Sequence, residues 1–345
     1  MALDDAYYDR LEQANAVAHW RRDFGPRPAP EPYIWRWEQM EPLIREAATE
    51  EALGGERRSL TLHNPAYKAG QGGTIPTLIS AIQLIKPGEV ATAHRHTATA
   101  IRFIMIGSTA HTVVNGEKVQ MEEGDLVITP SMAWHDHAHS GFTNEDMIWM
   151  DVLDAPLAGY LGVQRREMYP EDTQPVTKPE GSTAARIGGG LMRGFQDDRH
   201  ERALAMIYKW KDSYGALLNS DEATPFDGVA MEYVNPLDAG HTLPSMSISL
   251  QRLRPGEHTR AHRHAHAVVY HAAQGDGFTI VEGRRMDWGK FDIFALPPWT
   301  WHEHGNASQD TDAVLFSLSD LPVVEAVGMA EEEEGEHQEV VGTIG

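Results

Sequence analysis

The chain repeats itself, and this duplication constrains its fold more than any other feature. Pro87-Gly88-Glu89 is followed, four residues on, by His94-Arg95-His96; Pro255-Gly256-Glu257 is followed, four residues on, by His262-Arg263-His264. Each copy then closes on a matching tetrad, Trp134-His135-Asp136-His137 and Trp301-His302-Glu303-His304. His262 lies 168 positions beyond His94, and His302 lies 167 beyond His135, so the two intervening segments differ by one residue. The register runs upstream through Gln83 with Gln251 and Pro76 with Pro244. It reaches Asn64-Pro65 with Asn235-Pro236 at a spacing of 171, the first copy having a longer loop at 68–73. A repeat of this length is one structural unit used twice. With 345 residues there is room for two domains, each burying its own core.

Within each copy the texture is β. Strands are expected over 78–85, 100–106, 110–114, 126–128 and 147–152, short apolar runs broken by Gly, Pro and Asn. Such spacing suggests a sandwich or barrel rather than alternating β and α units. The organisation reads as a helical N-terminal segment (1–59), a first β barrel (60–165), a linker with a helix (166–227), and a second β barrel with an acidic tail (228–345). Tyr7, Leu11 and Ala14 give an amphipathic helix in 1–24, and the proline-rich stretch 26–32 is a stiff connector. Trp35, Trp37, Met40, Leu43 and Ile44 begin a second helical piece whose aromatics suit packing against a domain or another subunit. The linker carries Gly188-Gly189-Gly190 and a helical patch at 201–218. The acidic run at 330–336 is expected to be solvated and mobile, without a role.

The net charge of −22 argues against nucleic acid or an anionic membrane as partner. There is no cysteine, hence no disulfide framework and no thiolate chemistry. The start lacks the basic and apolar regions of a secretion signal, and no long apolar run follows, so a soluble cytoplasmic protein is expected.

The histidines carry the chemistry. After the Pro87-Gly88 turn a strand is expected, and alternate strand residues share a face, so His94 and His96 point together and Arg95 points away. Two imidazoles about 7 Å apart chelate a metal once a third arrives from a neighbouring strand, and His135 is that third candidate. Three neutral imidazoles leave three positions open on an octahedral ion, but the spacing alone equally allows Zn or Mn. A hydrolytic zinc site would want a general base such as Glu nearby, and none is evident near the first motif. Arg102 and His137 are expected to face inward, the first to pair a carboxylate in a bidentate fork, the second to exchange a proton with a hydroxyl. Gln83 is a candidate hydrogen-bond donor to substrate or to a ligand imidazole.

These residues also resemble a known family. Gly88-x5-His94-x-His96, then Gly124, Pro130 and His135, resemble the two motifs of the cupin superfamily, a small jelly-roll barrel, and the two copies resemble a bicupin. The more specific text is similar to gentisate 1,2-dioxygenases and their salicylate- and 1-hydroxy-2-naphthoate-cleaving relatives, over nearly the whole chain. That text is Pro32-Tyr33-Ile34-Trp35-Arg36-Trp37, Glu56-Arg57-Arg58, His94-Arg95-His96-Thr97 with Arg102, Trp134-His135-Asp136-His137, Glu232-Tyr233-Val234-Asn235-Pro236 and Pro298-Trp299-Thr300-Trp301-His302-Glu303-His304. Many cupins carry a glutamate four or five residues after the second histidine; here Ala100 and Ile101 stand there. The resemblance implies an all-β protein of two tandem cupin barrels in which Fe(II) is held by His94, His96 and His135. It implies Arg102, Arg58, His137, Gln83 and Asp151 as residues acting on substrate, and a homotetramer whose N-terminal segment wraps a neighbour.

The second copy keeps three candidate ligands, His262, His264 and His302, but has Tyr270 in place of Arg102 and Val229 in place of Arg58. It can hold a metal while lacking both anion anchors. The function expected from the resemblance is oxidative opening of gentisate to maleylpyruvate, with O2 and a small aromatic 2-hydroxy acid as the partners. Salicylate or 1-hydroxy-2-naphthoate cleavage stands as the alternative. A non-catalytic metal-binding bicupin, or a metal-dependent isomerase or hydrolase, are the readings from other classes.

Overall fold

A computed structural model describes residues 5–16, 18, 29–50, 58–68, 72–188 and 206–345. Glu56, Arg57, Gly189 and Gly190, and most of 17–28 and 201–205, lie outside the described residues. In chain order the strands are β1 (Tyr33–Trp35), β2 (Ser59–Leu62), β3 (Ile79–Ile85), β4 (Val90–His96), β5 (Ala100–Ile106), β6 (Ala110–Val114), β7 (Glu117–Gln120), β8 (Leu126–Thr129), β9 (His135–His139), β10 (Met147–Leu153), β11 (Arg166–Met168) and β12 (Met206–Tyr208). The second copy supplies β13 (Val229–Glu232), β14 (Ser247–Leu253), β15 (His262–His264), β16 (Val268–Gln274), β17 (Gly277–Val281), β18 (Arg284–Trp288), β19 (Ile293–Leu296), β20 (His302–Asn306), β21 (Ala313–Ser319), β22 (Glu332–Glu334) and β23 (Gly342–Thr343).

These form two two-sheet barrels. The first joins β12-β8-β5-β10-β3-β2 to β11-β4-β9-β6-β7; the second joins β1-β19-β16-β21-β14-β13 to β22-β15-β20-β17-β18-β23. In β5 every residue but the last is buried, which explains an apolar run where a half-exposed strand would alternate. Arg102 and Ile104 face the barrel interior. Ile101, Phe103 and Met105 face the second barrel and join Ile82, Leu250 and Phe316 in one shared core. Phe103 and Phe316 stack across it at 4.0 Å. The two barrels therefore pack sheet on sheet, and each large side chain buried there contributes about 1.5–3 kcal/mol.

Each copy lends its leading strand to the other barrel. β1, from the N-terminal segment, pairs with β19 of the second barrel, and β12, from the linker, pairs with β8 of the first. A helix follows each, Trp37–Ala47 and Trp210–Leu218. Its first backbone N–H groups are met by an aspartate of the receiving barrel: Trp37 N–H donates to Asp292 at 2.7 Å and Trp210 N–H to Asp125 at 2.9 Å. A carboxylate at a helix N-terminus satisfies open donors and complements the dipole. Because that carboxylate is distant in sequence, the helix starts carry no local capping signal; Trp35, expected in the helix, is strand.

The acidic tail differs from expectation. β22 pairs with β15, setting Glu332, Glu333 and Glu334 opposite His264, Arg263 and His262, and β23 lies parallel to β18. Glu333 accepts from Arg263 Nε at 2.9 Å, as Glu167 on β11 accepts from Arg95 Nε at 2.8 Å in the first barrel. Backbone pairing plus an arginine for the middle glutamate turns a charge run into an edge strand.

Candidate metal centre and substrate pocket

The turn before β4 needs Gly88, whose φ of +80° suits a residue without a Cβ. On β4, His94 and His96 share the inner face, while Arg95 turns outward over the Trp134 ring at 4.5 Å. His135 opens β9 directly opposite His94. The ring centroids stand 4.4 Å (His94–His135), 4.9 Å (His96–His135) and 5.5 Å (His94–His96) apart, with one ligand nitrogen of each within 4.8 Å of the others.

Each ring is oriented through Nδ1 by a backbone carbonyl two residues away: Thr92 for His94 at 2.8 Å, Ala98 for His96 at 2.7 Å, Ala133 for His135 at 2.9 Å. With Nδ1–H donated, Nε2 is left as the lone-pair nitrogen, the tautomer a metal requires. His135 Nε2 is buried with no hydrogen-bond partner among the described residues. Burial, then Arg102 and His94, holds His135 well below the usual histidine range, and burial draws His96 down to about 4. Three imidazoles converging on one point, with an unsatisfied nitrogen among them, fit a divalent metal.

The centre opens into a cavity of about 260 Å³, lined by Gln83, His94, His96, Arg102, His137 and Asp151 together with Ile79, Ala81 and Arg166. Arg102 and Asp151 face each other across β5 and β10 and form an ion pair, Nε to Oδ1, at 3.0 Å. Thr129 accepts from Arg102 Nη1 at 3.1 Å, and Trp149 Nε1 donates to Asp151 at 2.9 Å. Burial pulls Arg102 down and pushes Asp151 up, and their pairing opposes both shifts. His137, 2% exposed, has neither ring nitrogen hydrogen-bonded. Burial, then Arg102, holds its pKa far down, so the ring stands neutral beside the three histidines.

Of the residues expected at the site, the structure brings together His94, His96, His135, Arg102, His137, Gln83 and Asp151. It does not bring Arg58. Ser59 and Thr61 of β2 face the cavity, so Arg58 faces the other way; enclosed at 1% exposure, it pairs with Glu89 of the Pro87-Gly88 turn. Sequence reasoning missed Arg166, which β11 places opposite His96. The signal was in the duplication: the same position of the second barrel, opposite His264, is Glu332.

In the second barrel His262, His264 and His302 also converge within 4.8 Å. Here, however, His262 Nε2 and His302 Nε2 share a hydrogen bond of 2.8 Å, and Glu332 approaches His262 Nδ1 at 3.3 Å.

Comparison with known proteins agrees with this architecture. A family model described as "Cupin domain" matches residues 81–153 and 249–319. The chain is 40% identical to a 5-aminosalicylate 1,2-dioxygenase of Comamonas sp, over 98% of this chain and 93% of that one. It is 34% identical to a gentisate 1,2-dioxygenase of Aquipseudomonas alcaligenes, over 93% and 94%. The crystal structure of a salicylate 1,2-dioxygenase from Pseudoaminobacter salicylatoxidans, as adducts with gentisate, superposes with a TM-score of 0.86 at 28% identity, covering 97% of this chain and 96% of that one.

Proposed function

The chain belongs to the two-cupin family of ring-cleaving gentisate- and salicylate-type 1,2-dioxygenases, and on that premise we propose that it opens gentisate with O2 to give maleylpyruvate, using Fe(II) held by His94, His96 and His135 in the first barrel. The observation that carries this reading is a buried arginine, Arg102, braced by Asp151 and turned toward a histidine centre in a cavity of about 260 Å³, the scale of one substituted ring. A bare carboxylate entering a low-dielectric pocket needs such a cation, and the planar guanidinium meets it with two parallel bonds. Iron, when bound, supplies the centre at which an ortho-hydroxy acid and dioxygen exchange electrons.

The protein's own groups do the rest. Arg102 holds the carboxylate and so fixes which ring bond faces the centre. Asp151 and Thr129 hold the guanidinium, so little ordering is left to binding. Neutral His137 accepts the proton of the ring hydroxyl, and Gln83 donates a hydrogen bond from the cavity wall. Ile79 and Ala81 on β3 border the ring's far edge. The 40% identity to a 5-aminosalicylate dioxygenase favours a second reading, a 2-hydroxybenzoate whose 5-substituent is an amine rather than a hydroxyl; salicylate and 1-hydroxy-2-naphthoate complete the set. In solution the chain assembles, on this reading, as a homotetramer, which sedimentation checks.

The test is oxygen uptake by anaerobically Fe(II)-loaded protein given gentisate, 5-aminosalicylate, salicylate and 1-hydroxy-2-naphthoate in turn. Stoichiometric uptake, fastest with gentisate, is expected. A faster amine substrate moves the assignment to the second reading, and no uptake with any of the four overturns the proposal.

A further inference from the structure

On the outer wall of the second barrel, away from both histidine triads, His258, Glu303 and His337 bring one ligand atom each within 4.8 Å of the others. His258 Nε2 stands 3.3 Å from Glu303 Oε1, and His337 Nδ1 stands 3.4 Å from Glu303 Oε2. Glu303 is 0% exposed, while both histidines reach solvent. Among the described residues, the backbone N–H of Gln338 also stands 3.3 Å from each oxygen. A wholly buried carboxylate whose hydrogen-bond and ion-pair neighbours among the described residues stand at 3.3–3.4 Å is held loosely, since charge-assisted bonds settle near 2.7–2.9 Å. A spacing of about 3.4 Å is instead the edge between two ligands of a tetrahedral ion bound at about 2.0–2.2 Å.

The first barrel supplies a control inside the same molecule. Gln174 and Gln338 are structural equivalents. Each donates its backbone N–H to the acid of the His-acid-His tetrad and its side-chain amide to a strand carbonyl, Val113 or Ile280, and each accepts from a glycine, Gly116 or Gly283. This fixes Thr173 as the counterpart of His337. Val90 pairs near Ala138 as His258 bridges to Gly305, so Val90 is the counterpart of His258. One barrel therefore has Val90, Asp136 and Thr173 where the other has His258, Glu303 and His337. Asp136, without histidines, makes an ordinary 3.0 Å bond to Gln174 N–H. Both histidines and the longer acid occur together, in one copy. The nearby cation Arg285 is answered by Asp287 at 2.8 Å.

We propose that His258, Glu303 and His337 form a third metal site, specific to the second barrel, which binds a divalent ion of the zinc class and clamps the C-terminal tail to the barrel wall. Two imidazoles and a carboxylate with one side open to water suit such an ion, completed by solvent. His258 and Glu303 belong to the barrel and His337 to the tail, so a bound ion closes the 33 residues between 303 and 337.

The test compares zinc binding by chelator-treated full-length protein with that of His337→Gln and, separately, His258→Gln, by equilibrium dialysis and calorimetry. The two histidine triads are the same in all three, so a difference isolates this site. The expected result is one zinc fewer per chain in both variants, with affinity there lowered at least about 100-fold, beyond what loss of an outer hydrogen-bond partner costs. Zinc should also slow proteolysis at 335–345 in the parent protein and not in the variants, while Fe(II)-dependent oxygen uptake stays at the parent level. Unchanged zinc stoichiometry in both variants, with folding intact by circular dichroism, would overturn the proposal. So would a tail whose cleavage rate ignores zinc.

Discussion

The two barrels share a backbone plan and a histidine triad, enclose cavities of similar volume (about 260 and 270 Å³), and differ in charge. Where the first sets Arg102 opposite Asp151, the second sets Tyr270 opposite Ser317, so the buried ion pair has been replaced as a unit. Tyr270 then stacks on Phe294 and abuts His304, each at 4.9 Å. The second imidazole of the tetrad follows suit: Thr279 bonds His304 at 2.9 Å, whereas Thr112 bonds the backbone carbonyl of Asp136 and leaves His137 unpaired. At the mouth, the first barrel has Arg166 opposite His96 where the second has Glu332 opposite His264. A braced cation and an imidazole free of hydrogen bonds occur together, among the described residues, in the first barrel and not in the second.

The largest effect should separate the triads. His94→Ala is expected to lose the first-barrel iron and all turnover, since two imidazoles hold no defined geometry, while His262→Ala keeps most activity and loses at most the second-barrel ion. Iron content and oxygen uptake on both variants decide it; equal loss of activity, with both folded, would mean that both barrels turn over.

Next comes the ion pair. Arg102→Ala should keep the iron and lose roughly 2–3 kcal/mol of transition-state binding, about 30- to 150-fold in kcat/KM. Arg102→Tyr strands a buried carboxylate and should cost about 3–5 kcal/mol of stability, whereas Arg102→Tyr with Asp151→Ser, which copies the second barrel, should recover most of it and stay inactive. Denaturant midpoints beside kinetics test this; a double variant no more stable than the single would show that the pair is not one unit.

A smaller change is expected at the mouth. Arg166→Glu should raise KM by about 3- to 10-fold with kcat nearly unchanged, because an exposed charge acts through a screened field. The effect should shrink in high salt, and a KM indifferent to both charge and salt would remove Arg166 from the site.

The smallest concerns His241, which bridges Glu232 and Glu325 at 2.8 Å each, at the rim of the second barrel. Burial works against its charged form, but the two carboxylates win and raise its pKa. A raised pKa stabilises the fold fully below the unfolded value of about 6.5, and that stability is lost as pH rises through the folded pKa. His241→Gln should therefore lower the Tm at pH 5.5 and not at pH 9; an equal Tm deficit at both would break the linkage.

Much of the site was legible because its parts are local. Period-two spacing put His94 and His96 on one face, and the duplication exposed Tyr270 as the counterpart of Arg102. Spacing offered no reading of Arg58, which only the resemblance implied, because its facing depends on strand pairing: β2 meets β3 with Ser59 opposite Gln83, which turns Arg58 toward Glu89. The expectation of a mobile tail failed for a related reason. Composition reports how a segment interacts with water, not whether a barrel edge offers it backbone partners.

The sequence by itself determined the repeated unit, the β architecture, both triads and the cation peculiar to the first copy, since each is written in side-chain identity at short spacing. Only the tertiary structure decided the exchange of β1 and β12 between barrels, the aspartates that start their helices, the docking of β22 and the pairing of Arg102 with Asp151. Those contacts join residues 49 to 262 positions apart. Strand edges accept any backbone, so which segment reaches an edge is settled by how the two cores pack, and nothing local encodes it.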